Sequence, residues 1–238
     1  MLTLPIHDAE PATPRAHIIR LDLQGQPFTY RAGQAAYIQP AGADKRRPYS
    51  IASAPEETAQ NDQLEFLVQT DATGASGLTP DLIRPGTLAT VDGPLGSFVF
   101  PAEHPIEQNF LFVAGGTGIA PMRAMWHQAL AGDPSWRIGV VYSARTPDEF
   151  AFDDELNALA VSGRLTYVRT VTRHSGGPWD GGAGRINRVR LEAALVSRET
   201  LCFVCGPEAL VHDVPGMLRE IGIAQERIRV EEWAVRVP

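Results

Sequence analysis

The sequence predicts two domains: an N-terminal antiparallel β-barrel over residues 1–104 and a C-terminal α/β domain with a doubly wound parallel sheet over residues 105–238. Three observations carry this. Between residues 16 and 100, short apolar stretches are cut by glycine or proline at close intervals, and no long helical period occurs. At residues 110–114 the chain becomes continuously apolar, as Phe-Leu-Phe-Val-Ala, which suits a strand buried on both faces. From there strand-like runs alternate with helical periods, the pattern of a parallel sheet with crossover helices.

In chain order, residues 35–39, 64–68 and 97–100 have a strand rhythm. Gly33, Pro40, Gly42, Pro55, Gly74, Gly77, Pro85, Gly86, Gly93, Pro94 and Gly96 punctuate this half, so a small antiparallel barrel or sandwich is its natural architecture. A linker is expected near residues 101–108. Beyond it, strands are expected at 110–114, 138–142, 165–171, 201–205 and 228–235. Helices are expected from Ile119 and at 152–161, 188–195 and 208–221. The last helix places Leu210, Val214, Met217 and Ile221 on one face.

The totals exclude several classes. A net charge of −7 argues against general nucleic-acid binding, which wants a basic surface. No apolar run approaches the roughly 20 residues of a membrane helix. Residues 1–14 carry acids and prolines without an apolar core, so no secretory signal is expected there. The two cysteines, Cys202 and Cys205, exclude a disulfide framework and an internal four-cysteine iron–sulfur site. Their spacing imitates a redox pair, but they sit in a strand, where residues three apart face opposite ways. A cytoplasmic location follows. The six histidines show no metal-ligand spacing, and no metal is expected.

Two strand-to-helix turns carry candidate chemistry. Gly115-Gly116-Thr117-Gly118 leads through Ile119-Ala120 to Pro121 and a helix. Small residues let backbone amides approach a phosphate, and a helix N-terminus adds positive charge. Because position 121 is proline, this is not the common Gly-x-Gly-x-x-Gly dinucleotide fingerprint. A second turn, Cys205-Gly206-Pro207, ends another strand. Ligands of open parallel sheets sit beyond the strands' carboxyl ends, where two small-residue turns can flank a flat ring. In the first half, Arg47-Pro48-Tyr49-Ser50 offers a guanidinium fork for a phosphate, an aromatic face for stacking and a hydroxyl.

Together with Ser53, Gly93-Pro-Leu-Gly96-Ser-Phe98 and Glu231-Glu-Trp233, these motifs resemble the ferredoxin–NADP reductase superfamily, in order, from about Thr13 to Trp233. The resemblance implies a flavin-binding barrel followed by a nicotinamide nucleotide domain, with FAD and NADP(H) as cofactors and NAD(H) as the alternative. It gives Arg47 the flavin phosphate, Tyr49 the isoalloxazine face and Ser50 the flavin N5. The stretch Gly77-Leu78-Thr79, with Ser76 before it, resembles the phosphate and ribityl loop, with the contacting hydroxyl left open between Ser76 and Thr79. Gly115 to Pro121 would hold the nucleotide pyrophosphate, and Cys205 would sit by the nicotinamide C4. Glu231 and Trp233 resemble the terminal acid–aromatic pair, with five further residues after Trp233. Arg145, Arg173 and Arg185, each just beyond an expected strand or turn, resemble the 2′-phosphate arginines of bacterial NADPH-dependent flavodoxin reductases.

The expected activity is electron transfer from NAD(P)H through bound FAD to a separate carrier: a ferredoxin, a flavodoxin or an oxygenase component. Ser50, Cys205, Glu231 and Trp233 are the expected catalytic residues. Two alternatives stay open at this level: a reductase using free flavin as substrate, and a non-catalytic nucleotide-binding subunit of a larger electron-transfer complex.

Overall fold

The computed structural model describes residues 1–72, 77–101, 108–174 and 176–231. The chain divides into two compact units. One comprises Met1–Phe100 with Ala120–Ala131, the other Pro101–Ile119 with Gly132–Pro238.

The first unit is built on a six-stranded antiparallel sheet. Its strands are β1 (Leu2–Thr13), β2 (Ala16–Asp22), β3 (Ala35–Pro40), β4 (Arg47–Ser50), β5 (Gln63–Gln69) and β6 (Leu88–Leu95), in the order β4-β3-β6-β1-β2-β5. Alternation along β1, β2 and β5 buries Leu4, Ile6, Ile19, Leu21, Phe66 and Val68 in one core with Ile38 and Ile51. A short helix, α1 (Pro55–Asn61), starts at a proline, and the Glu57 carboxylate accepts the Ala54 N–H at 2.7 Å.

β1 is not among the strands expected from the sequence, because Pro5 and Pro11 disguise it. Residues 2–5 pair with β6, and residues from Ile6 onward pair with β2. Each half therefore has one unpaired side, where a missing N–H costs no ladder bond. Residues 97–100, expected as a strand, lie outside every strand. Phe98, Val99 and Phe100 are nonetheless buried, which accounts for their apolar rhythm.

Helix α2 (Ile119–Ala131) is almost entirely apolar on its buried side, through Met122, Met125 and Trp126. It carries Arg123, whose Nη1 donates to the Ala52 carbonyl at 3.1 Å and lies 3.2 Å from Glu57 and 3.3 Å from Glu65. Glu65 is buried and is also held by Arg20 Nε at 2.8 Å. Two guanidinium groups thus neutralise one buried carboxylate, the arrangement that makes burial of such a charge affordable.

The second unit is a parallel six-stranded sheet. Its strands are β7 (Asn109–Gly115), β8 (Arg137–Ala144), β9 (Thr166–Val171), β10 (Gly182–Ala183), β11 (Leu201–Cys205) and β12 (Ile228–Glu231), in the order β10-β9-β8-β7-β11-β12. Helices α3 (Asp153–Val161), α4 (Arg188–Ala194) and α5 (Glu208–Glu220) connect them. Leu191 and Ala194 of α4 pack with Val211, Val214 and Leu218 of α5 on Leu111, Val113, Cys202 and Val204. The expected face of α5 packs on this core, with Val214 and Ile221 buried and Leu210 and Met217 partly buried, and Val211 and Leu218 widen the stripe. The strand expected over 228–235 is seen to Glu231; the rest of that range lies outside the described residues.

β7 is the first strand of this unit and lies in the middle of its sheet. The chain runs outward on one side through β8, β9 and β10, then returns to the other side through β11 and β12. The order therefore reverses between β7 and β11, and a crevice forms beyond the carboxyl ends at such a reversal.

Candidate functional site

Both glycine turns stand at that reversal. Gly115 ends β7, and Gly116–Gly118 forms one tight turn before α2. Pro121 falls in the first turn of α2, where a missing N–H breaks no helical bond. Cys205 ends β11, opposite Ala114 in the ladder, and Pro207 is the N-cap of α5. The two turns touch. A Cβ on Gly118 would lie 2.6 Å from the Cys205 carbonyl oxygen, and one on Gly115 would lie 2.8 Å from the Pro207 ring. A side chain on Gly206 would meet the Gly115 amide at 2.9 Å. Glycine is what lets two strand ends close to backbone–backbone contact here.

Beside this contact, Cys205 Sγ donates to Glu231 Oε2 at 3.9 Å, with Glu231 opposite Cys205 in the β11–β12 ladder. A thiol and a carboxylate therefore meet at the same strand ends as the glycine corners. Trp233 lies outside the described residues. Cys202 belongs instead to the core packed under α4 and α5. Burial pushes its thiol up to about 12, so it is an inert core thiol. Both cysteines are free.

Arg145 follows β8, Arg173 follows β9, and Arg185 follows β10. The Arg173 N–H donates to the Arg145 carbonyl at 2.7 Å, and the Gly184 N–H to the Val171 carbonyl at 2.8 Å. The structure thus brings all three arginines to the carboxyl ends of neighbouring strands. All three are exposed, and Arg185 makes a loose 3.9 Å pair with Asp213.

In the first unit, Arg47, Pro48, Tyr49 and Ser50 form the whole of β4, paired to β3 with Tyr49 opposite Ala36 and Ser50 opposite Ala35. Alternation puts Arg47 and Tyr49 on one side. Tyr49 packs on the apolar core, and its Oη is buried with no hydrogen-bond partner among the described residues. Burial pushes this phenol up to about 12. An orphaned buried hydroxyl beside a guanidinium suits a ligand that brings its own polar atoms. Ser50 is buried, whereas the hydroxyl of the neighbouring Ser53 is taken up by Tyr30, Thr58 and the Glu65 N–H at 3.1 Å each. Ser53 is therefore structural.

Gly77 is buried with its backbone against the Gln69–Thr70 peptide, and Leu78 exchanges backbone bonds with Gln69 and Asp71. Thr79 is half-buried at the start of the turn Pro80–Ile83. Ser76 lies outside the described residues.

Sequence reasoning missed Tyr142, on β8. Its Oη donates to the Gly116 carbonyl at 3.0 Å. The available signal was a phenol inside an otherwise apolar buried strand, which must find a partner for its hydroxyl. Among the described residues no group of side chains could hold a metal ion, and no helix is long and apolar enough to cross a membrane.

The profile of the oxidoreductase NAD-binding domain family matches residues 112–215, the region holding both turns. The chain is 32% identical over 220 residues to ferredoxin–NADP reductase B of Sorangium cellulosum (strain So ce56), spanning 88% of this chain and 87% of that one. It is 28% identical to the ferredoxin–NAD(P)+ reductase component of the naphthalene 1,2-dioxygenase system of Pseudomonas putida, over 93% of this chain and 66% of the relative. The fold matches a ferredoxin–NADP+ reductase of Neisseria gonorrhoeae with bound FAD and NADP at a TM-score of 0.75 and 20% identity, covering 97% of each chain. The chain belongs to the ferredoxin–NADP reductase superfamily of FAD-binding oxidoreductases.

Proposed function

We propose that this chain passes electrons from NADPH, through FAD that it holds, to a separate small redox protein: a ferredoxin, a flavodoxin or an oxygenase component. The observation that carries this is the contact of Gly118 with the Cys205 carbonyl, 2.6 Å from a Cβ position. It sets two backbone-tight strand ends, a thiol and a carboxylate at the sheet's reversal point, a place suited to a dinucleotide. The relatives' names support the class of acceptor.

Residues 1–104 form the flavin domain in this reading, and residues 105–238 the nicotinamide domain. The antiparallel sheet closes into a barrel. Support comes from the bridge Ile51↔Phe66 and from the Ala52 N–H bonding the Glu65 carbonyl at 2.7 Å, which join the end of β4 to β5, the two outermost strands. Arg47 holds the flavin phosphate with its planar fork. Tyr49 lies against the isoalloxazine, Pro48 stiffens the strand between them, and Ser50 gives a hydrogen bond near N5. Gly77 and Thr79 line the phosphate and ribityl side. The partnerless Tyr49 Oη fits a polyhydroxylated ligand.

Gly115, Gly116, Thr117 and Gly118, with Pro121 three residues on in the chain, receive the nucleotide's pyrophosphate at the start of α2. Cys205, Gly206 and Pro207 flank the nicotinamide, with Glu231 holding the Cys205 thiol in place. Arg145, Arg173 and Arg185 receive the 2′-phosphate, which favours NADPH over NADH. When bound, the two cofactors supply the redox chemistry, a hydride passing from nicotinamide to flavin. The protein supplies placement and electrostatics. The reaction takes place in the cytoplasm.

Purification followed by exhaustive dialysis tests this reading. The expected result is a yellow protein that then oxidises NADPH with ferricyanide as acceptor. Loss of all flavin with activity restored only by added flavin would favour the free-flavin reductase. A chain with no oxidation of NADPH or NADH under either condition would overturn the proposal.

A further inference from the structure

Tyr142 is fully buried in the middle of the parallel sheet, yet its hydroxyl is not idle. It donates to the Gly116 carbonyl at 3.0 Å and accepts the Ala151 N–H at 3.3 Å. The same Gly116 carbonyl accepts the Ile119 N–H at the end of the turn. Both lone pairs of that oxygen are therefore committed, one of them to a side chain from a different strand. The phenol is braced in turn. Phe150 meets its ring edge-on at 4.9 Å and 88°, and Trp179 stacks on Phe150 at 5.5 Å and 12°. Trp179 is tethered by its indole N–H to the Gly182 carbonyl at 2.9 Å and lies under the Arg169 guanidinium.

Peptide geometry gives this bond a consequence. Gly116 is exposed and takes φ +55°, a left-handed conformation with few restraints of its own. In a trans peptide the C=O of one residue and the N–H of the next point in opposite directions. Drawing the Gly116 oxygen inward to Tyr142 turns the Thr117 N–H outward, onto the exposed side of the turn. Without the tether, a glycine here can flip that peptide and withdraw the donor.

We propose that Tyr142 is a positioning residue for the nicotinamide dinucleotide: it locks the 116–117 peptide with its N–H aimed at the pyrophosphate. This rests on the reading of Gly115–Gly118 as the pyrophosphate turn. It also explains why a phenol stands in a strand whose neighbours Val140 and Val141 are apolar and fully buried. Burial holds the phenol above its ordinary value, so the hydroxyl remains a donor throughout the working range.

The test compares wild type with Tyr142→Phe, which keeps the ring and removes one oxygen. Three ligands are titrated calorimetrically onto the flavin-loaded protein: NADP+, NAD+ and 2′-AMP, the last lacking the pyrophosphate. NADP+ and NAD+ are both expected to bind about 5- to 20-fold more weakly to the variant, on the scale of one misplaced donor to a charged group. Affinity for 2′-AMP should stay within about twofold, as should kcat at saturating NADPH. Phe150→Leu, which unseats the ring but leaves the hydroxyl, should show the same selectivity at smaller size and keeps the idea testable if the first variant folds poorly. Equal loss for NADP+ and 2′-AMP means general loosening of the sheet and overturns the assignment, as does unchanged NADP+ affinity in Tyr142→Phe. If wild type binds neither dinucleotide, the pyrophosphate reading falls first and Tyr142's role with it.

Discussion

Gly118 stands against the carbonyl of Cys205, where a Cβ would come within 2.6 Å of the oxygen and 2.7 Å of the carbon. The obstacle is backbone, so it cannot swing aside. Gly118→Ala must push the ends of β7 and β11 apart, an overpacking that costs about 1–3 kcal/mol. The expected outcome is at least about a 10-fold loss of NADP+ affinity, with flavin content unchanged because the flavin motifs lie on β4. Calorimetric titration of NADP+ and the absorbance ratio of bound flavin to protein check both halves of this expectation.

Ser50 and Ser53 lie three residues apart and make opposite expectations. Ser53 is tied into a buried hydroxyl network with Tyr30 and Thr58. Ser53→Ala should destabilise the protein by about 1–2 kcal/mol through the partners it leaves unsatisfied, with little effect on the rate of flavin reduction in the folded fraction. Ser50→Ala should slow that rate roughly 10-fold, the size of one hydrogen bond lost in the transition state, with little change in melting temperature. Stopped-flow reduction and thermal unfolding of both variants separate the roles, and an unchanged rate in Ser50→Ala removes it from the mechanism.

The buried Tyr49 hydroxyl gives a sign test. With no partner among the described residues, it costs stability in the flavin-free protein, so Tyr49→Phe should leave the apoprotein equally or slightly more stable. The same change should weaken flavin binding by about 5- to 10-fold. Opposite signs in apo melting temperature and flavin affinity are the expected signature. A variant that retains flavin as wild type does would take the hydroxyl out of the site.

Alkaline pH should unfold this protein earlier than its acidic net charge alone suggests. Burial raises Cys202 from 9.0 to about 12, and Tyr30 and Tyr49 from 10.0 to about 12. Each group keeps its proton in the folded state at pH values where the unfolded chain has lost it. The stability they contribute is complete below pH 9 and declines as pH rises from about 9 toward 12. Urea unfolding at stepped pH should show this decline, and Cys202→Ala should remove its earliest part, between about pH 9 and 10.

Most of the fold was legible because its signals are local. The apolar runs of β7 and β11 announce a doubly buried sheet, and the glycine turns fall where those runs stop. β1 was illegible because Pro5 and Pro11 break its pattern, and only its split pairing to β6 and β2 makes them tolerable. Helix α2 follows the glycine turn in sequence, yet Arg123 clamps it to Glu57 and Glu65 of the first unit. Only folding could disclose that long-range pairing of charges. Of the site, the Arg47–Ser50 strand and both glycine corners were visible as motifs. Tyr142 was not, because its partner is a backbone carbonyl 26 residues away.

Arg145 and Arg173, joined through their backbones at the ends of β8 and β9, should decide between the two nicotinamide nucleotides. The double variant Arg145→Ala/Arg173→Ala should raise KM for NADPH by about 10- to 100-fold, the scale of lost charge-assisted bonds. KM for NADH should move by no more than about threefold. Steady-state kinetics with ferricyanide as acceptor measure both. Equal shifts for the two nucleotides would place the 2′-phosphate elsewhere.

The central claim is that this one chain holds a flavin and reduces it from a nicotinamide nucleotide. Its most direct measurement is the visible spectrum of the purified protein under anaerobic conditions, followed through stoichiometric additions of NADPH and then NADH. The account expects flavin bands at the outset that bleach with about one equivalent of NADPH, and more slowly with NADH. A colourless protein that gains no flavin on incubation, or flavin bands that neither nucleotide bleaches, would contradict it.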